Sequence, residues 1–105
     1  MLSDAELTVK FAEATDVAVR NHLFELLWKR HEAFVRESVQ AMGSLTPLGY
    51  DTHTFLDDVE RRVRVKFLSG GLKIYKGRGP FPHFLWKVMK TCALDWRRRI
   101  TRRSR

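Results

Sequence analysis

Apolar side chains return along this chain every three or four residues, not every second one, so the elements they predict are helices. Ser3-Asp4-Ala5-Glu6 has the form of a capping box, a hydroxyl followed three residues later by Glu. It predicts a short helix to about Glu13 with Leu7, Phe11 and Ala14 inward. Thr15-Asp16 then caps a longer helix, on which Leu23, Phe24, Leu27, Trp28, Phe34, Val35, Val39 and Met42 share one arc. Glu25, Lys29, Glu32 and Arg36 fall opposite them. Glu25–Lys29 and Glu32–Arg36 stand four apart in the favourable order for ion pairs on a solvated face. Gly43, Pro47 and Gly49 close this helix in a loop.

Asp51-Thr52-His53-Thr54 supplies capping oxygens for a third helix with an inward stripe of Phe55, Leu56, Val59, Val63 and Phe67. Asp57, Asp58, Arg61, Arg64 and Val65 belong to its other side. Ser69-Gly70-Gly71 stops it, because glycine accepts the left-handed conformation at a helix end. Residues 72–81 hold two glycines and a proline and read as a loop, with Leu72, Ile74 and Phe81 tucked under and Lys73, Lys76 and Arg78 making it basic. A fourth helix begins near Pro82, a residue suited to a first turn. Its inner arc is Phe81, Leu85, Val88, Met89, Cys92 and Trp96. Its outer arc is His83, Lys87, Lys90, Thr91, Arg97 and Arg98, with Trp86 and Phe84 at the two borders. The tail from Arg97 to Arg105 is expected to fray under its own charge. The pattern is therefore an all-α single domain over residues 1–105, a bundle of about four helices in which the third and fourth form a hairpin around the basic loop.

Charge changes the picture. The chain of 105 residues carries a formal +8, and that charge is segregated. Residues 1–60 hold 5 basic and 11 acidic side chains, a net −6, whereas residues 61–105 hold 15 basic side chains and one acid, Asp95, a net +14. Such asymmetry points to a half that binds a polyanion, with nucleic acid the first candidate and an acidic membrane surface the second. No apolar run approaches the ~18 residues of a membrane span, and Met1-Leu2-Ser3-Asp4 does not open a signal peptide. The single cysteine, Cys92, excludes a disulfide framework and a Cys-based zinc site and fits a reducing cytoplasm.

Little here points to catalysis. His22 and His31 share a helix nine residues apart, which is not a ligand spacing on one face. Asp57 and Asp58 are adjacent and diverge around a helix, so they do not converge on one proton. Gly77-Arg78-Gly79 has neither a preceding strand nor a following Lys-Ser/Thr, as a phosphate-cradling loop requires. The expectation is a binding protein with no catalytic residues, metal or cofactor. The basic arc of the last helix fits that role: Lys87, Lys90, Arg97 and Arg98 lie on one side within about three turns, where each can neutralise a phosphate. Phe81, His83, Phe84 and Trp86 flank its N-terminal end, and rings beside a cationic track suit unpaired bases.

From Asp51 to Arg99 the chain resembles the core domain of bacterial RNA polymerase sigma factors, most of all the extracytoplasmic-function group. The family's pattern D-x-x-D-L-V-Q-E-V-F-L-x-x-W, a loop, then F-R-x-W-L-Y-R-I-A-x-N-x-A-x-D and arginines is echoed twice here. Asp51-Thr52-His53-Thr54-Phe55-Leu56-Asp57-Asp58-Val59 echoes its first part. Phe81-Pro82-His83-Phe84-Leu85-Trp86-Lys87-Val88-Met89-Lys90-Thr91-Cys92-Ala93-Leu94-Asp95-Trp96 followed by Arg97-Arg98-Arg99 echoes the second. Leu2 to Leu7 and Phe24 to His31 are similar to the family's opening and its L-Y-x-R-Y helix. The resemblance implies an initiation factor domain of the cytoplasm that binds core RNA polymerase and recognises and melts the upstream promoter element near the start site. It implies docking of the third helix on the clamp helices of the largest subunit through Asp57, Asp58, Arg61 and Arg62. It implies capture of nontemplate-strand bases, one of them in a loop pocket, by Arg78, Phe81, His83, Phe84, Trp86, Lys87, Lys90, Thr91, Arg97 and Arg98. An anti-sigma factor is the implied regulator.

The chain departs from the pattern at Thr91, where the family has Asn, at Glu60 and Arg64, where it has aromatic residues, and in the long linker from Met42 to Tyr50. The second, helix-turn-helix promoter domain of full sigma factors is absent from these 105 residues. Two other readings of the same residues are a general nucleic-acid-binding helical module without polymerase, and a protein-interaction domain that meets a regulator.

Overall fold

The computed structural model describes residues 2–75, 77 and 79–103, without the side chain of residue 73. Among these residues the secondary structure is entirely helical: α1 (Asp4–Glu13), α2 (Val17–Gln40), α3 (Thr52–Leu68) and α4 (Phe81–Arg103), with 3₁₀ turns at Gly43–Leu45 and Gly71–Ile74. Each of the first three helices starts at a side-chain oxygen. Ser3 Oγ accepts from the Glu6 N–H while Glu6 Oε1 accepts from the Ser3 N–H, both at 3.1 Å, which closes the capping box. Asp16 accepts from the Ala18 and Val19 N–H groups. Asp51 accepts from the Thr54 N–H and hydroxyl. The backbone N–H of Ser3, donating to Glu6, and that of Thr54, donating to Asp51, hold these two carboxyls below the usual range.

One hydrophobic core joins all four helices. α3 packs against α2, α4 and both 3₁₀ turns, while α1 packs against α2 and the second turn. The expected stripe of α3 is buried throughout: Phe55, Leu56, Val59, Val63 and Phe67. Leu7 and Phe11 from α1, Phe24, Leu27, Trp28, Val35 and Val39 from α2, and Leu85, Met89, Cys92 and Trp96 from α4 complete the core. α3 ends at Gly70, whose φ of 115° belongs to the left-handed region. At Gly71 a Cβ would lie 2.7 Å from the Lys66 carbonyl oxygen, so the chain can cross over the end of α3 only with glycine there.

Four expectations are corrected. Ile74 is exposed and Tyr75 buried in its place, because the 3₁₀ turn sets Leu72 and Tyr75, three apart, on the same inner side. The Tyr75 hydroxyl donates to the Gly79 carbonyl at 2.7 Å and ties the loop down. Glu25 does not pair with Lys29. It takes Arg64 from α3 at 2.5 Å, and the Arg64 guanidinium lies over the rings of Phe24 and Trp28. Arg64 is thus half-buried, not part of a solvated face. The chain does not fray at Arg97 but stays helical to Arg103, since Ile100 is buried one turn beyond Trp96 and extends the apolar arc.

Phe67 stands where the end of α3, the loop and the start of α4 meet. Its ring centroid lies 6.5 Å from that of Phe81 and 6.0 Å from that of Phe84. Phe67→Ala is expected to lower unfolding free energy by about 3–5 kcal/mol in urea titrations, whereas Leu48→Ala, at a fully exposed position, stays within about 0.5 kcal/mol of the parent.

Candidate nucleic-acid interface

The buried residues of α4, Phe81, Leu85, Met89, Cys92, Ala93, Trp96 and Ile100, recur every three or four positions, with Cys92 and Ala93 side by side on the same arc. With those inside, the opposite side of the helix must face solvent. At about 100° per residue, His83, Lys87, Lys90, Leu94, Arg97 and Thr101 lie within about 40° of one line along it. Trp86 flanks this line on one side and Thr91 and Arg98 on the other. All of them are exposed. Among the described residues no carboxylate forms an ion pair with Lys87, Lys90, Arg97 or Arg98. The one acid of α4, Asp95, faces away and pairs with Arg99 at 3.4 Å.

The rings divide sharply. Trp86 is 40% exposed, and the Lys90 ammonium lies 5.1 Å from its ring centroid. Phe81 is buried against His31, Phe67, Tyr75 and Phe84, so it holds α4 to the core and has no ring face for a partner. That corrects the expectation of a contact through Phe81. Phe84 is half-buried. With Ile74, Tyr75, Gly79, Pro80, His83 and Lys87 it lines a recess of about 490 Å³ at the foot of the loop. Thr91 is exposed, but its hydroxyl donates to the Lys87 carbonyl one turn back. Arg78 lies outside the described residues, as do Lys76 and the side chain of Lys73.

The four α3 residues assigned to docking also separate. Asp57 and Arg61 are exposed, with Asp57 3.6 Å from His53 one turn earlier. Asp58 and Arg62 are half-buried and engaged within the fold. Asp58 accepts from the Tyr50 hydroxyl at 3.1 Å. Burial first, and then that bond, pushes the Tyr50 phenol up. The Arg62 guanidinium lies over Trp96, 3.7 Å from the ring centroid. Sequence reasoning missed this stack, because it joins two helices 34 positions apart. It also missed Leu94, an apolar residue in the middle of the cationic line, which helical angle alone could have found.

Among the described residues no group of three His, Cys, Asp or Glu side chains is placed to hold a metal ion. No helix is long and apolar enough to cross a membrane. Cys92 is buried beneath the α3–α4 contact. Burial pushes its thiol up, against the attraction of Lys66 and Arg62 for the thiolate. An acid whose folded pKa is raised contributes stability below the unfolded value, about 8.5 for a thiol, and that contribution is lost as pH climbs toward the folded value. Cys92→Ala is therefore expected to flatten the fall in unfolding free energy between about pH 8 and pH 10. Iodoacetamide should modify the native thiol many-fold more slowly than the urea-unfolded one.

No protein-family model, curated protein or solved structure matches this chain, so its function is read from the interface itself.

Proposed function

We propose that this domain is the promoter-binding part of a transcription initiation factor: it docks on core RNA polymerase and holds the nontemplate strand of the promoter as the duplex opens. The observation that carries the reading is the outer face of α4, where Lys87, Lys90, Arg97 and Arg98 stand unpaired beside an exposed Trp86. The cations span about 16 Å of helix axis. Each can neutralise a backbone phosphate, and the released counterions provide affinity without sequence preference. Trp86 adds a stacking surface, which an unpaired base can use and a paired one cannot. Unstacking a base costs a few kcal/mol, and stacking on a ring returns about 1–3 kcal/mol of it. The recess between the loop and His83, Phe84 and Lys87 offers a second place for an extruded base, with aromatic walls and a cation at its rim.

Docking on the polymerase falls to Asp57 and Arg61, the exposed pair on the first half of α3. Both partners are held without chemistry, so the domain binds and does not catalyse. The resemblance to sigma factors supports this assignment, as does the four-helix fold with α3 and α4 side by side.

Trp86→Ala is expected to weaken binding to a single-stranded or forked promoter oligonucleotide by roughly 5- to 100-fold, the loss of one stacked base, with little effect on the closed duplex. Equal loss on both substrates would remove the stacking role. Arg61→Glu is expected to reduce capture by core polymerase in a pull-down by a larger factor than it reduces oligonucleotide affinity. Binding to every DNA with no affinity for core enzyme would favour a general nucleic-acid module. A chain that binds a regulator, with no DNA affinity at moderate salt, would favour an interaction domain.

A further inference from the structure

Two cations of α3, Arg62 and Lys66, face α4 and are not part of its outer line. A groove of about 850 Å³ runs between the two helices, with Arg62 and Lys66 on one wall and Arg98 on the other. Arg61 stands at its rim. Two carboxylates also line it, Asp58 and Asp95, and each is engaged by another group. Asp58 is four residues before Arg62, the spacing of a favourable helical ion pair, yet it accepts from Tyr50 instead. Asp95 is taken by Arg99. Among the described residues Arg62, Lys66 and Arg98 reach no carboxylate at ion-pair distance.

The arrangement is also ordered in advance. Arg62 is held over the Trp96 indole, a contact that restricts the rotamer freedom binding would otherwise remove. The indole is buried and its Nε1–H has no partner. Burying an unpaired donor costs about 1–3 kcal/mol. Arg98 and Leu94 line both this groove and the adjoining shelf on the outer side of α4, so the two cationic surfaces meet at these residues.

We infer that the α3–α4 groove is a second phosphate-binding site, in which Arg62, Lys66 and Arg98 hold the phosphodiester backbone of the strand that runs along the outer face of α4. The inference rests on the nucleic-acid reading above and extends the contact from one helix to two. The strand turns over Arg98 into the groove, where bidentate donation from Arg62 and the point charge of Lys66 engage successive phosphates.

The test is the salt dependence of binding to a fluorescein-labelled single-stranded oligonucleotide, read for the whole chain. Each phosphate contact contributes about 0.7 to the slope of log K against log salt for a single strand. Lys66→Gln, at an exposed position outside the outer line, is expected to lower the slope by about 0.7, and Lys66→Gln with Arg62→Gln by about 1.4. Because Arg62 packs on Trp96, the single Lys66 variant keeps the result readable if the double variant fails to fold. Lys87→Gln with Lys90→Gln serves as the comparison on the outer face.

If the Lys87/Lys90 pair lowers the slope while the Lys66 variant keeps the parent's slope and affinity, the groove is overturned and the nucleic-acid reading stands. A parent chain that binds no oligonucleotide overturns both. A final arm follows the Trp96 indole N–H resonance, assigned with Trp96→Phe. Its displacement by the oligonucleotide is expected. Displacement by inorganic pyrophosphate and not by the oligonucleotide would show a site for free phosphates and overturn the backbone assignment.

Discussion

The burial of one side of α4 is the constraint from which the interface follows. An α-helix cannot place neighbouring turns independently: once residues 85, 89, 92, 93, 96 and 100 are inside, the directions of 87, 90, 94 and 97 are set. The cations of α4 are collected on one line by the apolar residues behind them, not by attraction to anything on that face. Their mutual repulsion opposes this arrangement, and the core offsets it. Met89 and Ala93 are wholly inaccessible and Leu85 nearly so, and complete burial of a Leu or Met side chain contributes about 1.5–3 kcal/mol each. Exposed like charges on a helix cost only tenths of a kcal/mol per pair. The apolar term wins, and the charged line is stable without a partner.

The start of α4 depends on a separate contact. Phe81, Phe84, Phe67 and Tyr75 form a ring cluster with centroids 5.2–6.5 Å apart. His31 closes it from α2, 5.1 Å from Phe81, and is itself held by Asp4 at the start of α1 at 3.0 Å. The chain of contacts runs from the first turn of the protein to the first turn of its last helix. The loop between α3 and α4 is consequently clamped at both ends. Its recess rests on Tyr75 and Phe84 of this cluster as well as on exposed residues of the loop and of α4.

How far the sequence could be read follows from which contacts are local. Capping is local, and Ser3, Asp16 and Asp51 mark the three helix starts in the chain as they do in the structure. Helical periodicity is nearly local, and it identified the whole buried stripe of α3 and most of α4. What it could not supply was the choice of partner between helices. Glu25 has Lys29 at the right spacing and takes Arg64 instead, because Arg64 gains two aromatic faces as well as a carboxylate. Arg62 prefers Trp96 to Asp58 on similar grounds. At Phe81 two readings of the sequence compete: residue type sets it beside the bases and the helical arc sets it inside, and packing follows the arc. The end of α4 is hidden from composition because six arginines in nine residues outweigh one isoleucine there, while a single buried side chain suffices to continue a helix already formed.

Segregation of charge along the chain becomes division of labour in the fold. The acidic first half spends many of its carboxylates on structure. Asp4 braces α1 against Arg30 and His31, Glu6, Asp16 and Asp51 cap helices, Glu25 ties α2 to α3, and Glu32 pairs with Arg36. A carboxylate held by backbone N–H groups or by a cation of its own half projects little field toward α4. The second half has one acid for its 15 basic side chains, and that acid pairs with Arg99. The positive field of α4 and the groove is therefore offset only in part, by Asp58 and Asp95 within the groove, and what remains acts over about a Debye length, roughly 8 Å at physiological salt. A polyanion is drawn to this side of the domain before any ring or guanidinium touches it. For the same reason, substitution of Leu94 by Glu, which sets a carboxylate among Lys90, Arg97 and Arg98, would weaken association about as much as removing one of those cations, since each change lowers the charge of the line by one and leaves the core behind it intact.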